Sequence, residues 1–306
     1  MTVGRREVEE AVARIAGRVR LTPVMDLEVN GVTVTAKLEL LQHTGSFKPR
    51  GAFNRMLGEE LPAAGVVAAS GGNHGLAVAH VARTLGVPAT IFIPEVTPPV
   101  KRERMVALGA RVVVGGAIYD DALAASRLLV EETGALEVHA YDHPLTVAGQ
   151  GTMGREILQQ APDVDTILVA VGGGGLIAGV AAWVQDDASV ISVEPEKIPA
   201  MARALEAGRP VEVGVSGIAA DSLGAKAIGA VPFSIARRFV NEARLVSDEA
   251  IREAQRFMWQ TTHLVVEPGG ATALAALLSG AYRPGAGERV VVVVCGSNTD
   301  PGSVSA

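Results

Sequence analysis

The chain has 306 residues, of which 48% are hydrophobic and 20% charged, with a formal net charge of -6. That length supports a large core and two domains. No run of Lys/Arg forms a basic patch, which argues against nucleic acid or an anionic membrane as partner. The apolar runs are too short to cross a bilayer, and a single cysteine, Cys295, excludes an internal disulfide.

Taken in chain order, the first ten residues lack the apolar core of a signal peptide, so the expectation is a soluble cytoplasmic protein. Short β-branched runs then alternate with Ala/Leu-rich stretches. Val66–Ala69, Ala89–Ile93, Arg111–Val114, 166–171, 190–193 and 289–294 read as buried strands. Stretches 74–85, 100–108, 119–132, 176–184 and 248–260 read as helices, the last capped by Ser247 with Asp248 and Glu249 in its first turn. The repetition predicts an α/β protein of two domains, each a mostly parallel twisted sheet flanked by helices, with right-handed crossovers. Loops at 62–65 and 141–144 are the expected crossings. They delimit a small continuous domain, 65–140, and a large one assembled from 1–64 and 141–306.

Four segments carry chemistry. In Thr44-Gly-Ser-Phe-Lys-Pro-Arg-Gly51, Pro49 suits the first turn of a helix. Lys48 then sits at the helix N-terminus, where the dipole disfavours a second positive charge. Burial beside Phe47 pushes the same way. Such a lysine is either a neutral nucleophile fit for imine chemistry or a solvated loop residue, and this segment alone leaves both open. In Val66-Val-Ala-Ala-Ser-Gly-Gly-Asn-His-Gly75, a strand, a turn and a helix start offer Ser70, Asn73 and free backbone N–H groups to a carboxylate. His74 reads as a capping or packing residue more readily than a base, and His80 as structural. His139 and His143 form a loose pair without a third metal ligand of suitable spacing.

The stretch Asp165-Thr-Ile-Leu-Val-Ala-Val-Gly-Gly-Gly-Gly-Leu-Ile-Ala-Gly179 is again strand, glycine turn and helix start. Gly172, Gly173, Gly174 and Gly175 suit a phosphate at a helix N-terminus. A rival reading is dinucleotide binding, since Gly173, Gly175 and Ala178 fit G-x-G-x-x-A and Glu194 ends the next strand where a ribose-binding acid belongs. That reading, an NAD-dependent oxidoreductase, explains neither Lys48 nor the Ser70 loop.

Together Ser46-Phe-Lys-Pro-Arg-Gly51, Ser70-Gly-Gly-Asn-His-Gly75, the tetraglycine and Val291-Val-Val-Val-Cys-Gly-Ser-Asn298 resemble fold-type II pyridoxal-phosphate enzymes. Within them the resemblance is to the serine/threonine dehydratases, relatives of the serine racemases, over about residues 20–300 in consistent order. The resemblance implies the two-domain architecture of that family, pyridoxal 5'-phosphate as cofactor, a hydroxy amino acid as substrate and a homodimer. It implies that Lys48 holds the cofactor and later serves as base at Cα. Phe47 would lie against the cofactor ring, Asn73 would bond its phenolic oxygen, and the tetraglycine would hold its phosphate. Ser70, Gly71, Asn73 and His74 would surround the substrate carboxylate, and Cys295 would sit beside the ring nitrogen. A thiol there holds a pyridinium poorly, which favours prompt loss of a β-leaving group. The implied reaction is elimination of water from L-threonine and/or L-serine, giving a 2-oxo acid and ammonia.

The chain also departs from its relatives. Serine racemases carry a second acid/base serine where this chain has Gly71, so weak or absent racemase activity is expected. Many relatives bind a divalent cation near Glu194 with the help of an aspartate. Here Ala200 takes that place, with Glu196 nearby, so the cation is left open. With the chain ending soon after Asn298, feedback through a C-terminal regulatory domain is not expected. Rival functions are 3-hydroxyaspartate dehydration, amino-acid racemisation and β-replacement on the same scaffold.

Overall fold

Two sheets organise the chain in a computed structural model that describes residues 3–117 and 119–304. Helix α1 (Arg5–Ile15) leads into a hairpin of β1 (Val24–Val29) and β2 (Val32–Lys37), followed by α2 (Lys48–Leu57). Next come β3 (Val66–Ala69), α3 (Asn73–Leu85), β4 (Ala89–Ile93), α4 (Pro99–Ala107), β5 (Arg111–Val114), α5 (Tyr119–Thr133) and β6 (Leu136–Glu137). Then follow α6 (Pro144–Gln160), β7 (Thr166–Ala170), α7 (Gly175–Val184), β8 (Ser189–Pro195), α8 (Ala200–Ala207), α9 (Ala220–Leu223) and α10 (Ala230–Phe239). The remaining elements are β9 (Val240–Val246), α11 (Asp248–Thr262), α12 (Pro268–Leu278) and β10 (Val290–Val293).

The six-stranded sheet runs β1-β2-β10-β7-β8-β9 and the four-stranded sheet β5-β4-β3-β6. All strand pairings are parallel except β1 with β2. Strands β3, β7 and β10 are buried along their whole length. Covered on both faces, they read as unbroken apolar runs rather than alternating ones. The hairpin turns at Asn30-Gly31, both at positive φ (52° and 79°). Such a two-residue turn matches strand twist and fixes the register Val29 opposite Val32.

Helix α2 belongs to both halves. Ala52, Phe53 and Met56 lie in the core beneath the four-stranded sheet with Val66, Leu76 and Ile91. Phe47, at its cap, packs on the core of the six-stranded sheet. Ion pairs Lys101–Asp221 and Lys226–Asp120 run from α4 and α5 to the segment around α9.

Candidate active site

The loops that leave the carboxyl ends of β3, β7 and β10 are the places where open α/β sheets bind ligands. The segment before α2 is laced to the end of β10. Phe47 N–H donates to the Cys295 carbonyl (3.2 Å), Ser297 N–H to the Gly45 carbonyl (2.9 Å), and Ser46 forms an antiparallel bridge with Gly296. This lacing fixes Lys48 against Cys295 although they lie far apart in sequence.

Lys48 opens α2 with Pro49 in the first turn. Its Nζ donates to the Ala140 carbonyl at 3.0 Å and stands 5.1 Å from the Phe47 ring centroid. Burial lowers its pKa to about 8, against the opposing pull of Cys295 and Glu267. The amine therefore reaches its neutral, nucleophilic form near physiological pH.

Next to Ala140, Tyr141 lies against the glycine loop. A Cβ on Gly173 would lie 2.4 Å from two atoms of the Tyr141 ring, and one on Gly175 would lie 2.8 Å from Tyr141 Cβ. Gly174 has φ +88° and is the N-cap of α7. Among the described residues no side chain caps that helix. The loop is thus a cradle of backbone at an uncapped helix N-terminus, where N–H groups and dipole suit a phosphate.

Cys295 is buried, with Sγ 3.6 Å from the Gly269 carbonyl. Burial and the nearby Glu267 push the thiol well above its usual range, so it keeps its proton. A lowered lysine, a phosphate cradle and a neutral thiol fit a pyridine aldehyde phosphate.

From the four-stranded side, the loop before α3 enters. Ser70 Oγ accepts from Gly72 N–H (3.2 Å). A Cβ on Gly71 would collide with the Thr97 hydroxyl. Asn73 is pinned at both ends: Nδ2 donates to Glu267 Oε1 (2.6 Å), and Oδ1 accepts from Asn298 Nδ2 (2.7 Å). The His74 ring is turned away, its Nε2 2.6 Å from the Val138 carbonyl. Burial first, then the Lys48 charge, drops its pKa to about 3. The ring is a neutral packing group, and only the His74 backbone N–H remains for an anion.

His139 and His143 serve the chain locally. His139 Nδ1 accepts from Asp142 N–H (2.9 Å), and His143 Nδ1 from Leu145 N–H (3.2 Å). Among the described residues no group of three or more His, Cys, Asp or Glu is arranged for a metal. Glu194 is fully buried, and its two oxygens accept from Met201 N–H (2.6 Å) and Ala202 N–H (2.9 Å) at the start of α8. Burial lifts its carboxyl to about 7. Buried and bound to the start of α8, Glu194 is not presented to a ribose, which weakens the dinucleotide reading.

Sequence reasoning finds Glu267-Pro-Gly-Gly270 as a segment shared with the family but assigns no role to Glu267, the N-cap residue of α12, which touches Asn73. Its only sequence signal is the Glu-Pro-Gly-Gly run, which names a helix start and no partner. It also missed the Arg50 network. The Arg50 side chain is wholly buried and forks onto Glu39 (2.7 and 2.8 Å) and Glu156 (2.7 and 2.8 Å), with Thr152 Oγ1 at 3.1 Å. Lys37 Nζ closes the cluster on Glu156 Oε2 (2.7 Å). This bolts the helix of Lys48 to α6 and to the turn after β2.

Residues 15–296 match the family model described as pyridoxal-phosphate dependent enzyme. An L-threonine ammonia-lyase of Geobacter sulfurreducens is 42% identical, with 97% of this chain and 76% of the relative aligned. Among solved structures, a threonine deaminase from T.th. superposes with a TM-score of 0.90 at 38% identity, covering 97% of this chain and 99% of that one. Maize serine racemase gives 0.93 at 32% identity, covering 100% and 96%. The chain therefore belongs to the pyridoxal-phosphate dependent enzymes.

Proposed function

We propose that this chain is a serine/threonine ammonia-lyase. It removes water from L-threonine and L-serine, whose enamine products tautomerise and hydrolyse to a 2-oxo acid and ammonia. The observation that carries the reading is the Lys48 amine, lowered to about 8, beside a glycine cradle and a protonated Cys295. The relatives named for threonine ammonia-lyase and threonine deaminase activity support it.

In this reading Lys48 would hold the cofactor, Gly172–Gly175 its phosphate, with Phe47 against the ring, Asn73 donating to the phenolic oxygen and Cys295 beside the ring nitrogen. The bound cofactor supplies a sink for the electron pair left at Cα. Displaced from the cofactor by the substrate amine, the freed Lys48 amine would take the Cα proton. Ser70, Gly71, Asn73 and His74 would receive the substrate carboxylate through the Ser70 hydroxyl and backbone N–H groups. Cys295 keeps its proton and would add no charge beside the ring, a setting that suits β-elimination. Gly71 has no proton to give, which argues against racemisation. The division into domains 65–140 and 1–64 plus 141–306, a homodimeric assembly and a cytoplasmic location complete the proposal. No described helix is long and apolar enough to cross a membrane.

The test uses purified protein with pyridoxal phosphate. Attachment should speed up as pH rises through about 8, the Lys48 value. Borohydride should fix the label on Lys48, and Lys48→Ala should lose both label and turnover. L-threonine should give keto acid and ammonia in equal amounts. Label on another lysine, or a new β-substituted amino acid as product, overturns the reading.

A further inference from the structure

Glu267 is a carboxyl enclosed in the candidate site with no part in the chemistry above. It is 3% exposed and sits at the start of α12. Its backbone N–H donates to the Gly296 carbonyl (3.1 Å), which ties it to the loop that carries Cys295. A Cβ on Gly296 would collide with its Oε1, so that glycine is what lets the carboxyl approach. From there Oε1 takes the Asn73 amide at 2.6 Å, across from the six-stranded side to the four-stranded side. Asn298 Nδ2 donates to the other end of the same amide and to the Thr44 carbonyl (2.8 Å), while Arg104 Nη1 holds Asn298 Oδ1 (2.8 Å).

An amide so held has one sense only: oxygen toward Asn298, nitrogen toward Glu267. One Nδ2 hydrogen is spent on Glu267 and the second remains free for a ligand oxygen. We propose that Glu267 is a positioning residue, which fixes the sense of the Asn73 amide and so aims its free N–H at the cofactor ring while clasping the two sheets together. This rests on the cofactor reading given above.

The charged and titratable groups acting on Glu267 are Lys101 and Asp221 from α4 and α9, and its field reaches Lys48 and Cys295. Burial lifts the carboxyl to about 7, opposed by the Asn73 hydrogen bond. Ionisation of Glu267 through neutral pH therefore brings a negative charge beside Asn73, and the bound cofactor should register it.

The experiment compares holoenzyme with Glu267→Gln and Glu267→Leu, reading visible absorbance against pH and the cofactor dissociation constant. The wild type should show an absorbance transition near pH 7. Glu267→Gln, which still accepts from Asn73, should keep the absorbance maximum and lose the transition. Glu267→Leu should move the maximum and weaken cofactor binding about tenfold, the scale of one lost hydrogen bond to a charged group. A wild-type maximum and pH profile in Glu267→Leu overturns the proposal, as does a surviving neutral transition in Glu267→Gln. If Glu267→Leu does not fold, the Gln profile alone decides. A wild-type protein that takes up no cofactor would instead sink the cofactor reading itself.

Discussion

At the scale of single residues, position 71 shows how a missing side chain sets chemistry. A Cβ there would lie 2.8 Å from Thr97 Cγ2 and 3.1 Å from its Cβ, with the hydroxyl closer still. The space in which a second proton-carrying hydroxyl would stand is already filled. Gly71→Ser alone should therefore cost about 1–3 kcal/mol by overpacking, read by urea unfolding. Gly71→Ser with Thr97→Gly should recover that loss and turn residual L-serine partly into D-serine during turnover. Wild-type serine should stay L; racemisation by the wild type that rivals elimination would refute this. Lys48 is legible in sequence because Pro49 and Phe47 are its neighbours and supply the helix start and the apolar wall. Glu267 is not legible: its partner Asn73 is 194 positions away, and no local pattern records such a contact.

At the scale of elements, the buried strands are the easiest to read. β3 and β4, largely buried, match their apolar runs, because strands covered on both faces need unbroken apolar sequence. β5, expected buried, is instead an edge strand with Arg111 and Val114 exposed. The hairpin of β1 and β2 escapes the sequence reading although Asn30-Gly31 is a strong turn signal. Its flanking residues, partly polar and exposed, hide the strands. Helix α6 escapes it too, since Gly149, Gly151 and Gly154 count against a helix. The structure shows why they are there: side chains at Gly149 and Gly151 would strike the Arg50 and Gly179 carbonyls, and one at Gly154 would crowd Val180. These glycines bring α6 against α2 and α7 closely enough for Glu156 and Thr152 to reach Arg50. Removing one partner from such a buried cluster strands the others. Arg50→Met should cost about 3–5 kcal/mol in denaturant unfolding of the cofactor-free protein. The double change with Glu39→Gln should return part of it, since Glu156 keeps Lys37 as its partner. A loss from Arg50→Met no larger than that of a surface substitution would show that the cluster holds nothing.

At the scale of the whole molecule, the alternation of strands and helices is enough to foresee two parallel α/β halves, but not the order of their strands in space. The sheet order depends on non-local pairing, which periodicity does not encode. Between the halves, Lys226 and Asp120 are each about half exposed (50% and 52%), and Lys101–Asp221 lies at the same seam. Exposed pairs contribute roughly 0–1 kcal/mol and fade with salt. Lys101→Ala with Lys226→Ala should leave the unfolding midpoint nearly unchanged while lowering kcat/KM for L-threonine. High salt should bring the wild type down toward the double variant; equal salt dependence in both would rule the seam out as a clasp. The position of β10 has a further consequence, one of timing. The strand sits between β2 and β7, so the hairpin near the start of the chain pairs with one of its last strands. During synthesis the stretch from β3 to β6 is made before β10 and can fold first, whereas the loop that faces Lys48 follows β10, long after Lys48 itself. The nascent chain thus carries its reactive amine without a pocket until the last strand docks, and this late, long-range closure is the step expected to limit folding.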